Sequence, residues 1–137
     1  MKITKLLKEL DKLDIPRDKM AISSSGPLGI RNLREIGDLD IIVYPEVWRG
    51  LSTKYTVTKK EGSFESINVG NIQILGPGSW FTGPDLNGVK KYIDDAEVIN
   101  GYRYDRLERV LTIKRKKKKI KDEKDVTIIE DYLRRQK

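Results

Sequence analysis

The sequence predicts an α+β fold, a mixed β-sheet with helices packed mainly on one side. Three observations point there. Apolar residues at helical spacing alternate with β-rich runs in the order helix, strand, helix, strand, hairpin, helices. Glycine and proline punctuate the chain at Gly26–Pro27, through residues 76–88 and near Gly101. The length, 137 residues, suits one domain with one core, so 1–137 is read as a single unit.

Each element has its own signature. Ile3, Leu6, Leu7, Leu10 and Leu13 form one apolar stripe, and Pro16 limits the first helix. Met20 to Ser23 is a short strand, followed by the turn Ser24, Ser25, Gly26 and a short helix that Pro27 opens. "DLDIIVY", Asp38 to Tyr44, is the next strand, and Pro45 to Leu51 a helical turn with Trp48 on its apolar side. "KYTVTKK" and "ESINVGNIQIL" read as two strands with a hairpin turn at "EGS", residues 61–63. Residues 76–88 are a loop, whose Trp80 and Phe81 either cover a core or line a pocket. A short helix follows from Val89 to Ala96, then a brief extended piece, a turn at Asn100 and Gly101, and a helix from about Tyr104 with Leu107, Val110, Leu111 and Ile113 inward. The last helix turns Val126, Ile129 and Leu133 inward and carries acids in its first turn.

Composition excludes much chemistry. With no cysteine and no histidine, disulfides, thiolate metal sites, zinc hydrolysis, serine triads and imidazole acid/base catalysis are all ruled out. Carboxylates, Lys, Arg, Tyr, Ser and a hard cation bound through oxygen remain. Lys and Arg number 28 against 21 Asp and Glu, a net +7; residues 114–137 hold 11 bases and 5 acids, or +6 of it. The helical segment from about 104 to 137 is therefore the basic part. Its run "KRKKKK", residues 114–119, either attracts nucleic acid or nucleotide phosphates or forms a solvated helical face. "MKITKLLKELDKL" lacks the apolar centre of a signal peptide and the apolar runs are short, so a cytoplasmic protein with no membrane partner is expected.

Asp38 and Asp40 stand one residue apart at the head of an apolar run, so on an extended strand they share a face. Two carboxylates held together either face water or share a cation such as Mg²⁺, whose remaining ligands are phosphate oxygens and water. Upstream, the Ser24–Gly26 turn leads from strand to helix, where unpaired backbone N–H groups favour phosphate.

Strand, "SSSG", short helix and "GDLDIIV" together resemble the nucleotidyltransferase superfamily with the DNA polymerase beta-like fold. That family places Gly-Ser at a strand-to-helix turn and Asp-x-Asp on the next strand about a dozen residues later; here 12 residues separate Ser25 from Asp38. The tail "INGYRYDRLERVLTIKRKKKKIKDEKDVTIIEDYL" is similar to that of small antitoxin-like and AbiEii-like members, with Lys114 and the Lys124–Asp125 pair at corresponding places. The resemblance implies Mg²⁺ or Mn²⁺ on Asp38 and Asp40, and triphosphate on Ser24, Ser25 and Gly26. Arg31, Arg34 and Lys114 are the cations expected to neutralise it. The activity implied is transfer of a nucleoside monophosphate from a nucleoside triphosphate to an acceptor hydroxyl, on RNA, protein or a small molecule, by a homodimer or with a partner chain.

Two departures bear on activity. Ser24 stands where the family has glycine. The family's third acid, on a later strand, falls in "FESINVGNIQIL", where Glu65 is the only carboxylate and Asn68 or Gln73 the alternatives. Glu65 completes a catalytic set with Asp38 and Asp40 if it faces them. With Gln73 there instead, the expectation is a catalytically weak module that binds nucleotide, RNA or a partner, because an amide brings no charge and no base.

Overall fold

A computed structural model describes residues 2–59 and 63–136. Among these, six α-helices and a seven-stranded mixed sheet confirm the α+β class. α1 (Ile3–Asp11) leads through a 3₁₀ turn (Arg17–Lys19) into β1 (Met20–Ser23), α2 (Gly26–Ile30) and β2 (Leu39–Val43). Then come α3 (Pro45–Lys54), β3 (Thr58–Lys59), β4 (Glu65–Val69) and β5 (Ile72–Leu75). α4 (Val89–Asp94), β6 (Glu97–Ile99), β7 (Tyr102–Tyr104), α5 (Leu107–Lys117) and α6 (Ile120–Arg135) complete the chain.

The strand order is β3-β4-β5-β2-β1-β7-β6. β1 runs antiparallel to β2 and parallel to β7, and β2 runs parallel to β5. Side chains alternate between faces, so register decides which residues meet. Ile22, Leu39, Ile41, Ile72 and Ile74 share one face and form the centre of the core. Asp40, Ile42 and Gln73 lie on the other.

Three sequence expectations need correction. "ESINVGNIQIL" is not one strand: Gly70 and Asn71 make a two-residue turn between β4 and β5, with Gly70 at φ +59°, a value that glycine adopts without strain. The helix expected from Tyr104 starts at Leu107, because Tyr104 pairs with Ile22 and the Asp105 N–H donates to the Ile22 carbonyl at 2.8 Å. Helices are not confined to one side. All of β1 is buried, as is β2 apart from Asp40. α2 packs on the face of Ile22 and Leu39, whereas Arg103, on the opposite face, donates to the Ile93 carbonyl of α4. The hairpin turn expected at residues 61–63 lies, Ser63 apart, outside the described residues.

Candidate functional site

The end of β1 turns sharply at Ser24, whose φ of +53° lies in the left-handed region. Serine there pays a steric cost that glycine would not, of about 1 kcal/mol. Gly26 serves differently. It opens α2 with ordinary dihedrals, and a Cβ at this position would run into the Ile22 side chain, so its smallness lets α2 lie against the sheet. α2 has only five residues, so its dipole adds little, and charge at the site must come from side chains.

β2 then brings in the acids. Asp40 pairs with Ser23 on β1 and with Gln73 on β5, which puts Asp40 and Gln73 side by side on one face. Asn68 pairs with Gln73 and Ser66 with Leu75, so Glu65 points to the opposite face. Glu65 therefore does not join Asp38 and Asp40, and Gln73 lies beside Asp40 instead. The physical reason is parity: the Gly70–Asn71 turn sets the register of β4, and one residue along a strand reverses its face. Asp38, just before β2, is exposed. Burial, reinforced by the Asp38 carboxylate, pushes Asp40 up to about 6, against the pull of a Ser24 hydrogen bond, Lys114 and Lys121.

The far wall comes from the α5–α6 corner. Lys114 is 3% exposed, and its Nζ lies 3.2 Å from Asp122 Oδ1 and 2.9 Å from Asp125 Oδ2. Arg34 grips Asp125 with two parallel bonds, Nε to Oδ1 at 2.7 Å and Nη2 to Oδ2 at 3.0 Å, and Nη2 also donates to Ser25 Oγ at 2.6 Å. Burial opposes ionisation of Asp125, but the hydrogen bonds from Arg34 and Lys114 outweigh it and hold the carboxyl below its ordinary range. One continuous polar network therefore ties the Ser25 turn to both C-terminal helices. Lys118, at φ +55°, turns the chain between those helices.

These parts enclose a cavity of about 330 Å³ lined by Ser24, Ser25, Arg34, Asp38, Asp40, Gln73, Lys114, Lys117, Lys119, Lys121, Asp122 and Asp125, with Trp80 and Phe81 at one side. Arg34 and Lys114 are spent on Asp122 and Asp125. Lys119 and Lys121 have no acidic partner among the described residues, and Lys117 lies only at 3.9 Å from Asp122 Oδ2, an oxygen with no hydrogen-bond donor. Burial lowers the pKa of Lys117, with Asp122 opposing.

Of the expected site residues, Ser24, Ser25, Arg34, Asp38, Asp40 and Lys114 come together. Glu65 and Arg31 do not. Arg31 binds the Pro27 carbonyl at 2.9 Å and pairs with Glu97 of β6, away from the cavity, because the α2 terminus points its side chain toward the sheet edge. Gly26 is buried behind the turn rather than on it. The sequence reading missed Asp122 and Lys121 as cavity residues, and named Lys117 and Lys119 only within the basic run 114–119; the spacing of three to four residues between Asp122, Asp125 and Ile129 was the available signal for a buried acidic face. No family model, curated protein or solved structure matches the chain.

The donor set suits a hard cation. Two carboxylates and an amide oxygen are the ligand types Mg²⁺ takes, alongside phosphate and water, and Asp40 sits where a positive charge would relieve it. No group of three or more acids placed to hold a metal occurs among the described residues; beside Asp40 stands the amide of Gln73.

Proposed function

We propose that this chain is a nucleoside triphosphate-binding module with the architecture of a minimal nucleotidyltransferase, and that Gln73 makes its transfer chemistry weak. The observation that supports it is the pairing of Asp40 with Gln73 in a cavity walled on the far side by Lys117, Lys119 and Lys121. Bound beside the two aspartates, Mg²⁺ would supply charge neutralisation to phosphate oxygens. The chain's own residues do the rest. Ser24 holds Asp40 in place through a hydrogen bond, the three lysines face the triphosphate, and Arg34 fixes the Ser25 hydroxyl. Gln73 can donate or accept a hydrogen bond but takes no proton from an acceptor hydroxyl and adds no charge. A full transferase needs both, and for that reason binding is the favoured reading.

Titration of ATP, GTP, CTP and UTP, each with and without Mg²⁺, tests it through thermal unfolding. A hundredfold excess over the dissociation constant adds about 2.7 kcal/mol, which for a chain of this size raises the midpoint by roughly 9 °C. The shift should require Mg²⁺ and vanish in Asp38→Asn/Asp40→Asn. Gln73→Glu should then tighten Mn²⁺ binding and raise release of pyrophosphate. Absence of a shift with every nucleotide would sink the proposal.

A further inference from the structure

A second cavity, of about 460 Å³, is lined by residues within 80–88 of the loop together with α4 and α5, and shares Trp80 with the first. Its walls carry the features that hold unpaired bases. Trp80 is 56% exposed and Tyr92 36%, two of the four large hydrophobic side chains the described residues leave in solvent. Arg109 sits against Tyr92, its guanidinium carbon 3.8 Å from the ring centroid, and is fixed there by Asp105 and the Phe81 carbonyl. Lys91 Nζ lies 5.0 Å from the same centroid, so Tyr92 offers a half-exposed ring flanked by two cations, and Trp80 is the more open of the two aromatic surfaces. Trp80 stands on a loop that is pinned: Thr82 Oγ1 donates to the Gly76 carbonyl at 2.6 Å, and Phe81 beside it is buried.

Charge complements this platform. Lys91 and Lys116 line the cavity with Arg109, and the one acid there, Asp85, is taken by Asn87 through its backbone N–H at 3.0 Å and its side-chain amide at 2.8 Å. Lys116 has no acidic partner among the described residues. It sits on the same helix end as Lys117, which lines the first cavity, so basic residues of one helix end reach both cavities. Aromatic faces joined to a track of cations are what single-stranded nucleic acid requires: bases stack on any ring, phosphates follow the charge, and little sequence is read. A duplex offers no free base faces to Trp80 or Tyr92.

We propose that this groove binds single-stranded nucleic acid, with bases stacked on Trp80 and Tyr92 and the backbone on Lys91 and Lys116, leading toward the first cavity. The inference stands on its own residues and goes beyond the nucleotide reading. Fluorescence anisotropy with labelled oligouridylate and oligothymidylate of about 12 residues tests it, a length within the span of one such site. The full-length protein should bind at least one of them and quench Trp80 fluorescence, and the preferred strand identifies RNA or DNA as the source. Tyr92→Ala and Trp80→Ala should each weaken binding about tenfold, at unchanged circular dichroism. Lys116→Glu should flatten the dependence of log affinity on log salt by about 0.7, the loss of one phosphate contact. Asp38→Asn/Asp40→Asn should leave oligonucleotide binding intact, so that failure of the nucleotide reading and failure of this one are separable. Affinity for neither strand, equal affinity for a duplex, or binding untouched by both aromatic variants would overturn the proposal.

Discussion

At pH 7 Asp40 is ionised where burial and the Asp38 carboxylate both oppose ionisation, and its pKa rises from an ordinary 3.8 to about 6. The folded protein therefore holds the Asp40 proton more tightly than the unfolded chain does. This contribution to stability is fully present below pH 3.8, falls as pH rises toward 6 and is gone above it, a loss on the order of 2–3 kcal/mol. Asp40→Asn removes the titration. Urea unfolding should find the variant more stable than the parent by about that amount at pH 7.5 and equal to it at pH 3.5, other groups cancelling in the difference. The same difference at both values would show that Asp40 does not titrate as described. Asp40 was legible in the sequence because its place depends on local spacing alone, a turn followed by a strand. The choice between Glu65 and Gln73 stayed open in the sequence because it depends on a register set by the turn at Gly70 and Asn71, which alternation alone does not fix.

At the scale of elements, α5 and α6 meet through charge as well as apolar contact. Ile129 and Val110 are fully buried, yet beside them Lys114, Asp122 and Asp125 are all at most 3% exposed. A helix opening with "KDEKD" reads as acids favoured by the dipole at a solvated N-terminus, and so the burial of Asp122 and Asp125 was hidden. Lys114 was expected to face phosphate; it lines the cavity, but its ammonium is held by two carboxylates. Removing Lys114 leaves Asp125 with Arg34 but strands the fully buried Asp122 with no cation nearer than Lys117 at 3.9 Å. Lys114→Met should destabilise the protein by about 3–5 kcal/mol in denaturant unfolding at pH 7. Lys114→Met/Asp122→Leu should recover part of the loss, since the stranded charge rather than the missing attraction carries most of it. A single variant within experimental error of the parent would mean that the triad is hydrated and contributes little.

Across the whole molecule, the first cavity is built from both ends of the chain. The Ser24–Ser25 turn, Arg34 and β2 come from the first third, and Lys114 to Asp125 from the last. Apart from the resemblance, the convergence of two distant segments was implied only by the order of elements, because β7 must run beside β1 before α5 can begin. The bidentate Arg34–Asp125 pair, 91 residues apart in sequence, is the polar link between them. Arg34 Nη2 is shared between Asp125 and Ser25 while Nε also binds Asp125, so loss of the guanidinium frees the start of α6 from the turn while Ile129 still anchors its middle. Arg34→Met should therefore speed amide hydrogen exchange over the first two turns of α6 and leave β1, β2 and β5 protected, because local opening follows the contacts that hold a segment. A triphosphate bridging the Ser24–Ser25 turn and Lys121 should act in the opposite sense on the unmodified protein, slowing exchange in those same turns when Mg²⁺ is present. Equal exchange in parent and variant would mean that apolar packing alone seats α6, and that the cavity keeps its far wall without the charged bridge.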